Sequence, residues 1–457
     1  MFALDDTIVA ISTPVGEGGI GIVRFSGPEA EMILEQVFSP AGHAVEVPAL
    51  ESHRFYYGHA VDRDSGATID EVLAVLMRAP RTYTRQDVAE IHCHGGIVPL
   101  RQTLKRVLRH GARLAEPGEF TLRAFLNGRI DLAQAEAVLD IVRAKTDVSL
   151  RVAMQQLDGG ISAPVRAIRH RLVQALAHVE ASLDFPDDEI PELDVAAVLQ
   201  RAQQDLQELL QQADQGLVYR EGVRTAIVGR PNVGKSSLLN ALLRTSRAIV
   251  SPLPGTTRDT VEETLNLRGI PLCLVDTAGI TDSTDLIEKL GIERSHQALQ
   301  QADLVLLVLD GSEALQAEDR QIAELLRNHT VIVVVNKSDL AQVAKHHTIQ
   351  PESPHVVLSA LTGEGLAALE DAIEHTVFFG QVQTPELPAI SNPRHSEVLS
   401  RALSQVAAAQ HTLSNQGAAD LLAVDLTAAA SALGEITGET VSEDVLETIF
   451  ASFCVGK

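Results

Sequence analysis

The sequence contains few cysteines, a shortage of basic residues and no long apolar run. Its three cysteines, Cys93, Cys273 and Cys454, are far apart and odd in number, which is typical of a reducing compartment. The N-terminal stretch carries acidic residues where a secretion signal carries basic ones. Every apolar run is strand-sized and falls well short of the ~20 residues that a membrane span needs. We therefore expect a cytoplasmic protein without a membrane span.

The shortage of basic residues also limits the kind of partner. Lysine and arginine number 37 against 61 acidic residues, which gives a net charge of −24 over 457 residues. Such a surface does not coat nucleic acid, so any RNA contact must be a local basic patch. Arg101, Lys105 and Arg109 share one predicted helix face, although a stripe of this kind is usually only a solvated face. The length allows two or three domains.

A glycine-rich loop of fixed spacing is the strongest motif in the chain. The stretch GRPNVGKS, residues 229–236, follows a β-branched run at 225–228 and precedes a helical pattern at 237–243. Between a strand and a helix, the backbone N–H groups of such a loop surround a phosphate. Lys235 would reach the outer phosphates, and Ser236 would hold magnesium. The alternative is a glycine turn in some other α/β domain, and the motifs that follow argue against it.

Further motifs occur in a fixed order along the same stretch. Asp276–Gly279, Asn336–Asp339 and Ser359–Leu361 each follow an apolar run, and Gly255–Asp259 supplies a threonine for magnesium. A carboxylate at Asp339 can accept from the ring N–H and the exocyclic amine of guanine, a donor pair that adenine lacks. The sequence therefore predicts an α/β P-loop GTPase domain, with a mainly parallel sheet covered on both faces.

The motifs leave two candidates for the group that assists GTP hydrolysis. The residue after the Asp276–Gly279 motif is Ile280, which cannot orient a water as a glutamine does in Ras-type proteins. Arg258 and a carboxylate within 281–288 are the two candidates. Asn232 either shapes the glycine loop or offers an oxygen near the phosphates. The residues predicted to contact the nucleotide are Asn232, Val233, Gly234, Lys235, Ser236, Ser237, Ser251, Pro252, Leu253, Pro254, Gly255, Thr256, Thr257, Asp276, Thr277, Ala278, Gly279, Asn336, Lys337, Ser338, Asp339, Ser359, Ala360 and Leu361.

The patterns on either side predict two more domains. Residues 1–120 form an α+β domain, with expected strands at 8–11, 21–25, 71–76 and 88–92 and expected helices at 28–38 and 99–110. Residues 121–216 and 384–457 are free of strand patterns, so we expect one all-α domain into which the GTPase domain, 217–383, is inserted. Expected helices include 120–145 and 195–215. Pro385, Pro388 and Pro393 mark a linker. The pair His92 and His94 could suggest a metal, but packing or an anion contact is favoured.

Taken together, these motifs resemble the MnmE (TrmE) family of tRNA modification GTPases. The match includes DTIVAISTPVGEGGIGIVRFSGPEA, PGEFTLRAFLNGRIDLAQAEAVLDIV, the GTPase motifs and the terminal FCVGK. The resemblance implies a homodimer joined through the N-terminal domains, each binding 5-formyl-tetrahydrofolate or a related reduced folate. It also implies GTPase domains that meet around bound potassium. With an FAD-dependent partner, MnmG (GidA), in a heterotetramer, the family installs an aminomethyl-type group on the wobble uridine of certain tRNAs.

The resemblance also implies roles for particular residues. The folate contacts are Arg24, Glu90, Arg129 and Lys457. Magnesium is held by Ser236 and Thr257, and potassium by Asn232, Ser251, Leu253 and Thr256. Glu288 positions the attacking water, and Cys454 takes part in, or guards, the one-carbon chemistry; on composition alone it would only fill a gap. Three positions depart from the usual family residues, namely Arg129 for lysine, Ser251 for threonine and Thr281 for arginine.

Two other classes of GTPase compete with this interpretation. A ribosome-assembly GTPase would carry a basic RNA-binding domain beside the GTPase domain, whereas here both flanks are helical and the chain is acidic. A dynamin-like scaffold would have no reason for a terminal cysteine beside an implied folate pocket. Binding of reduced folate by the purified protein would separate all three.

Overall fold

The computed structural model describes residues 5–41, 50–185, 191–245, 248–249, 263–275, 299–342, 346–378, 390–415 and 417–457. Within these ranges, no helix is long and apolar enough to cross a membrane. Strands are numbered in chain order, and helices are named by their bounds.

The N-terminal part is a seven-stranded sheet with helices on one face. The strands are β1 Ile8–Ile11, β2 Gly18–Ser26, β3 Phe38–Pro40, β4 Arg54–Asp62, β5 Ala67–Met77, β6 Val88–Gly95 and β7 Arg113–Leu114. They lie in the order β3-β4-β5-β6-β2-β1-β7. Helices Ala30–Val37 and Ile97–Arg109 bury their apolar faces against this sheet.

The expected strands and helices of this part are confirmed, with shifted ends, but the sequence prediction missed three strands. β3, β4 and β7 were not predicted. β3 and β7 are only 3 and 2 residues long, too short to show a pattern. In β4 the side chains of Phe55 and Tyr57 are exposed, so apolar residues lie on both faces and the inward-outward alternation is obscured.

Nine helices among the described residues form the second unit. They are Glu119–Leu126, Leu132–Arg143, Asp147–Leu157, Ser162–Asp184, Val195–Gln211, Ala213–Glu221, Pro393–Ser414, Ala419–Thr437 and Glu443–Ala451. One continuous apolar core contains residues from both sides of the GTPase domain, including Leu172, Leu206, Leu399 and Leu426. The helical segments that precede and follow the GTPase part therefore share one apolar core.

Several predicted features of the helical part need correction. The helix expected over 120–145 is two helices, because the chain turns through Gly128 at φ +67° and Asp131 caps the second helix by accepting from the Gln134 N–H. The helix expected over 195–215 ends at Gln211. Pro393 is not a linker residue. It occupies the first turn of a helix that Asn392 caps, where a missing N–H costs nothing.

The GTPase part is a second seven-stranded sheet, and its predicted strands and glycine-loop helix are confirmed. Its strands are β8 Val223–Val228, β9 Ala248–Ile249, β10 Glu263–Leu267, β11 Ile270–Leu274, β12 Leu304–Asp310, β13 Val331–Asn336 and β14 His355–Val357. The order is β14-β13-β12-β8-β11-β10-β9, and only β10 runs against the others, so the β11–β10 and β10–β9 pairs are antiparallel.

Both faces of this sheet are covered, as predicted. Helices Lys235–Thr245, Ala317–Leu325 and Leu366–Val377 lie in this part. Alternate residues of β12 enter different apolar clusters, since Leu306 belongs to one and Leu307 to the other. Strands buried on both faces read as continuous apolar runs, which is why β11 and β13 were predicted from the sequence.

Candidate functional site

The glycine loop connects β8 to the helix Lys235–Thr245 at the carboxyl edge of the parallel strands. Gly229 and Gly234 adopt positive φ angles of 153° and 101°. A side chain at either position would collide with its neighbours. A Cβ on Gly229 would lie 2.4 Å from the Val308 carbonyl oxygen, and one on Gly234 would lie 2.2 Å from the Asn336 amide nitrogen. The loop therefore needs glycine at both positions, as phosphate loops do.

Lys235 begins the helix and turns its ammonium back over the loop. Its Nζ donates to the carbonyl oxygens of Gly229 and Arg230 at 2.9 and 2.8 Å. Ser236 and Ser237 follow in the first helical turn, where backbone N–H groups and the positive end of the helix dipole favour an anion. Lys235 and Ser236 thus begin the helix directly after the loop, and their contacts with outer phosphates and magnesium stay a prediction.

Asn336 links its own motif to the glycine loop and to the Ser359–Leu361 motif. Its side-chain nitrogen donates to the carbonyl of Val233 at 2.9 Å, and its side-chain oxygen accepts from the Ala360 N–H at 2.9 Å. Ser359 is fully buried and donates through Oγ to Asp339 Oδ1 at 2.6 Å. Residues distant in sequence thus meet at one edge of the sheet. The carboxylate of Asp339 is held in place there, as guanine recognition requires.

Lys337 is anchored by a residue that the sequence interpretation overlooked. Its Nζ lies 2.5 Å from Oδ2 of Asp310, and its own backbone is left-handed at φ +65°. Burial alone raises the pKa of Asp310, but Lys337 and Ser312 outweigh it and lower that pKa below its usual value. A signal existed, since Asp310 ends the apolar run of β12 just as Asn336 ends that of β13. Leu361, in contrast, projects into solvent and is 83% exposed.

The remaining predicted residues of the nucleotide site lie outside the described residues. They are Ser251, Pro252, Leu253, Pro254, Gly255, Thr256, Thr257, Asp276, Thr277, Ala278, Gly279 and Glu288. Arg258, Ile280 and Thr281 lie outside them too.

A second group of predicted residues meets on the N-terminal sheet. Arg24 of β2 and Glu90 of β6 are register partners, and Arg24 Nε lies 2.7 Å from Glu90 Oε1. His92 Nε2 lies 3.0 Å from the other carboxylate oxygen. Burial of Glu90 raises its pKa, but His92 and Arg24 together outweigh that effect and lower the pKa below its usual value. The sheet therefore presents a shielded, ionised carboxylate.

The C-terminal tail lies against this pair. Val455 forms an isolated antiparallel bridge with Pro117, and Arg24 Nη1 donates to the Gly456 carbonyl at 3.4 Å. Gly456 has φ +95°, and a Cβ there would lie 2.9 Å from the Ile11 carbonyl oxygen, so the tail can bend past β1 only with glycine at this position. The two ends of the chain, 432 residues apart, are thereby joined.

Arg129 reaches the same region through an aromatic cluster. Its guanidinium lies 4.6 Å from the ring centroid of Tyr83 and donates to the Tyr83 carbonyl at 3.2 Å. Tyr83 packs against a small cluster that includes Phe120, and the guanidinium of Arg24 lies 6.0 Å from the Phe120 ring centroid. Tyr83 and Phe120 were not predicted, because no local pattern distinguishes them from ordinary core aromatics.

Cys454 and the paired histidines can now be placed. The Cys454 side chain is exposed, so it fills no gap in the core of this chain, contrary to the packing interpretation. His92 is bonded to Glu90 and meets the Phe55 ring edge-on, while His94 lies 2.7 Å from Asp70. No cluster of His, Cys, Asp or Glu with metal-ligand geometry occurs in the described part of the chain.

A phosphate loop at the end of a parallel sheet, joined to a guanine-type Asn-Lys-Ser-Asp loop and carried by a helical unit, defines a P-loop GTPase. Comparison with known proteins gives the family. Residues 132–454 match the family described as MnmE helical domain, and residues 7–129 match GTP-binding protein TrmE N-terminus.

Full-length relatives agree with these family matches. The tRNA modification GTPase MnmE of Bacillus subtilis is 47% identical over 460 residues, covering 99% of this chain and 100% of that protein. That of Chloroflexus aurantiacus is 51% identical over 459 residues, with the same two shares. A solved structure of an Aquifex aeolicus Era variant bound to GDP and AlF4− is 31% identical, with a TM-score of 0.28, over 42% of this chain and 67% of that one. The chain belongs to the MnmE family and is a GTPase that acts in tRNA modification.

Proposed function

We propose that this GTPase uses a one-carbon unit of reduced folate to modify the wobble uridine of certain tRNAs. It acts as a homodimer with the FAD-dependent MnmG (GidA), in a heterotetramer, and the product carries an aminomethyl or carboxymethylaminomethyl group. The observation that carries the proposal is the contact between Arg24 and the C-terminal tail at Gly456. That contact brings three of the four predicted folate residues, and Cys454, into one neighbourhood.

The chemistry of this neighbourhood fits a reduced folate. The pterin ring offers N–H donors, which the ionised carboxylate of Glu90 can accept. The anionic tail of the cofactor needs positive charge, and Arg24, Arg129 and Lys457 would supply it. The cofactor supplies a one-carbon unit when bound. Cys454 is exposed in the tail that meets Arg24, as a thiol that takes part in that chemistry must be.

The proposed metal ions would be magnesium and potassium, each bound by residues of the nucleotide site. Ser236 would hold magnesium together with Thr257. Asn232, with Ser251, Leu253 and Thr256, would hold a potassium ion that stabilises the charge developing during hydrolysis, once two GTPase domains meet. Glu288 would position the attacking water. Of these residues, Asn232 and Ser236 are among those that the structure describes, and both lie in or directly after the glycine loop.

A folate-binding titration tests the proposal directly. Wild-type protein should bind 5-formyl-tetrahydrofolate, and Glu90→Gln should weaken that affinity by about tenfold or more, because a charged hydrogen-bond partner is lost. The matched control is Glu31→Gln, which removes a carboxylate paired with Arg78 in the same unit. The control should bind folate normally, and both variants should bind GTP normally. Wild-type protein that binds no reduced folate would overturn the proposal.

A further inference from the structure

The hairpin of β10 and β11 is adjacent to the strand that leads into the nucleotide site, and its two ends are continuous in sequence with predicted nucleotide-binding motifs. β11 pairs in parallel with β8, the strand that leads into the glycine loop. The Asp276–Gly279 motif follows directly after β11 in the sequence, and the Thr257 segment precedes β10. The hairpin turn is Arg268–Gly269, at the opposite end of the strands.

Residues of the helical unit contact this turn directly. Thr146 is buried and donates through Oγ1 to the Gly269 carbonyl at 2.8 Å. Gly269 has φ +95°, and a Cβ there would lie 2.3 Å from Val148 Cγ2, so the side chain of Val148 closes directly over the turn. Lys145 adds a third contact, with its Nζ 3.3 Å from the Sγ of Cys273 in β11.

The helix that carries these contacts belongs to both units. Helix Asp147–Leu157 is capped by Thr146, whose Oγ1 accepts from the Ser149 N–H. Val152 of this helix is buried in the apolar core of the GTPase part, together with Val223 and Leu272. Ser149 Oγ also donates to the carbonyl of Tyr219 at 2.6 Å. The helix is therefore fixed to the hairpin at one end and to the entering chain along its side.

Arg268 fixes the other side of the turn. Its guanidinium lies within 2.6 to 3.3 Å of three carboxylates on helix Leu366–Val377, the last described helix before the chain leaves the GTPase part. These carboxylates are Glu370, Asp371 and Glu374. The backbone of Arg268 is left-handed at φ +51°. The turn is thus held between the helical unit and the exit helix.

The chain enters the GTPase part after helix Ala213–Glu221 and returns from it at Ile390, and these two connections lie against each other. A Cβ on Gly216 would lie 1.6 Å from the Ile390 carbonyl oxygen, so the entering and leaving segments touch backbone to backbone. Asp140 of the helical unit holds the entering helix through Arg220 at 2.8 Å. Beside them lies a cavity of about 220 Å³, lined in part by Asp140, Arg220 and Ser391.

We propose that helix Asp147–Leu157 carries the nucleotide state of the GTPase part into the helical unit, through the grip of Thr146 and Val148 on the turn Arg268–Gly269. Coupling of this kind needs an element that contacts both units. This helix buries Val152 in the core of the GTPase part, and its Leu157 carbonyl accepts from Gln134 Nε2 of the helical unit at 2.7 Å. The inference depends on guanine-nucleotide binding and not on the proposed folate chemistry, so failure of one leaves the other standing.

Hydrogen exchange of the full chain tests the proposal. In wild-type protein, amides of residues 147–157 should exchange at different rates with GDP and with a non-hydrolysable GTP analogue. Thr146→Val keeps the shape but removes both the bond to Gly269 and the helix cap. Loss of the cap should change exchange equally with both nucleotides, whereas loss of the bond should reduce the difference between them by about fivefold or more, the lower end of typical coupling between sites. Thr427→Val is the matched control, since the Thr427 hydroxyl bonds only within its own exposed helix turn.

A second variant covers the case in which Thr146→Val does not fold. Arg268→Asn removes the three ion pairs but tolerates the left-handed backbone. It should also reduce the nucleotide-dependent difference, while Arg327→Asn, which removes an exposed pair with Glu324, should not. The proposal is wrong if wild-type amides 147–157 exchange identically with both nucleotides. It is also wrong if a folded Thr146→Val or Arg268→Asn protein keeps the full difference.

Discussion

At the scale of single residues, Asp339 is the most directly testable member of the guanine site. Ser359 holds its carboxylate, and Asn336 ties the adjoining loops to the phosphate loop. In Asp339→Asn the acceptor pattern changes, so affinity for GTP should fall and affinity for xanthosine triphosphate should rise. Each unmet buried partner costs ~1–3 kcal/mol, which predicts at least about tenfold discrimination. Titration of both nucleotides measures it, and equal GTP affinity in mutant and wild type would contradict the assignment.

Glu136 makes the second residue-scale prediction, on pH. Burial raises the pKa of this carboxyl, but His395 and Arg394 outweigh burial and bring the pKa from 4.5 to about 2. Since the pKa is lower in the folded chain, the stabilisation is present above the unfolded value and is lost as pH falls toward 2. A shift of this size corresponds to about 3 kcal/mol. In urea unfolding, the free energy of unfolding should decrease as the pH is lowered from about 5 to about 2.

A Glu136→Gln variant separates this carboxyl from the others that titrate nearby. It should be less stable at neutral pH by ~3–5 kcal/mol, because the half-buried Arg394 guanidinium loses its counter-charge. Its stability should also fall less between pH 5 and pH 2 than that of wild type. Glu435→Gln, which removes a half-exposed pair with Arg401, is the control and should resemble wild type. An unchanged acid profile in Glu136→Gln would show that other carboxyls dominate.

At the scale of secondary-structure elements, the glycine loop leaves one question that a pair of variants answers. Asn232 is exposed and left-handed at φ +67°, so it either shapes the loop or binds an ion. Asn232→Gly keeps the backbone conformation and removes the side-chain oxygen. If the oxygen binds potassium, wild type should hydrolyse GTP faster in potassium than in sodium, and Asn232→Gly should lose this preference. If Arg258→Ala abolishes hydrolysis and the cation makes no difference, the potassium hypothesis is wrong.

Elements with a local signature were predictable from the sequence. The run 331–335 is continuous in apolar residues because β13 is buried on both faces, and the glycine loop has a spacing that few other structures require. The sequence did not predict β4, whose outward face carries aromatic residues. It also did not predict the bond from Thr146 to Gly269, because two residues 123 apart leave no shared local pattern. Arg24 and Glu90 were assigned only through resemblance, and register then placed them side by side.

At the scale of the whole molecule, the inserted GTPase part depends on a helical core built from both sides of the insertion. That core joins Leu172 and Leu206 to Leu399 and Leu426. The C-terminal helix, Glu443–Ala451, then packs Leu446 and Phe450 against the helices that follow the N-terminal sheet. The tail thereby reaches Arg24. This arrangement makes the proposed folate pocket dependent on the last residues of the chain.

The measurement that tests the account most directly is wobble-uridine modification in a reconstituted mixture. Purified protein, the FAD-dependent partner, tRNA, GTP and reduced folate should yield the modified nucleoside, detected by mass spectrometry, and omission of GTP or of folate should prevent it. Cys454→Ser, with normal folding, folate binding and GTP hydrolysis, should lose the product. Full modification by Cys454→Ser would leave the thiol without a chemical role. Product formed without folate would contradict the central claim.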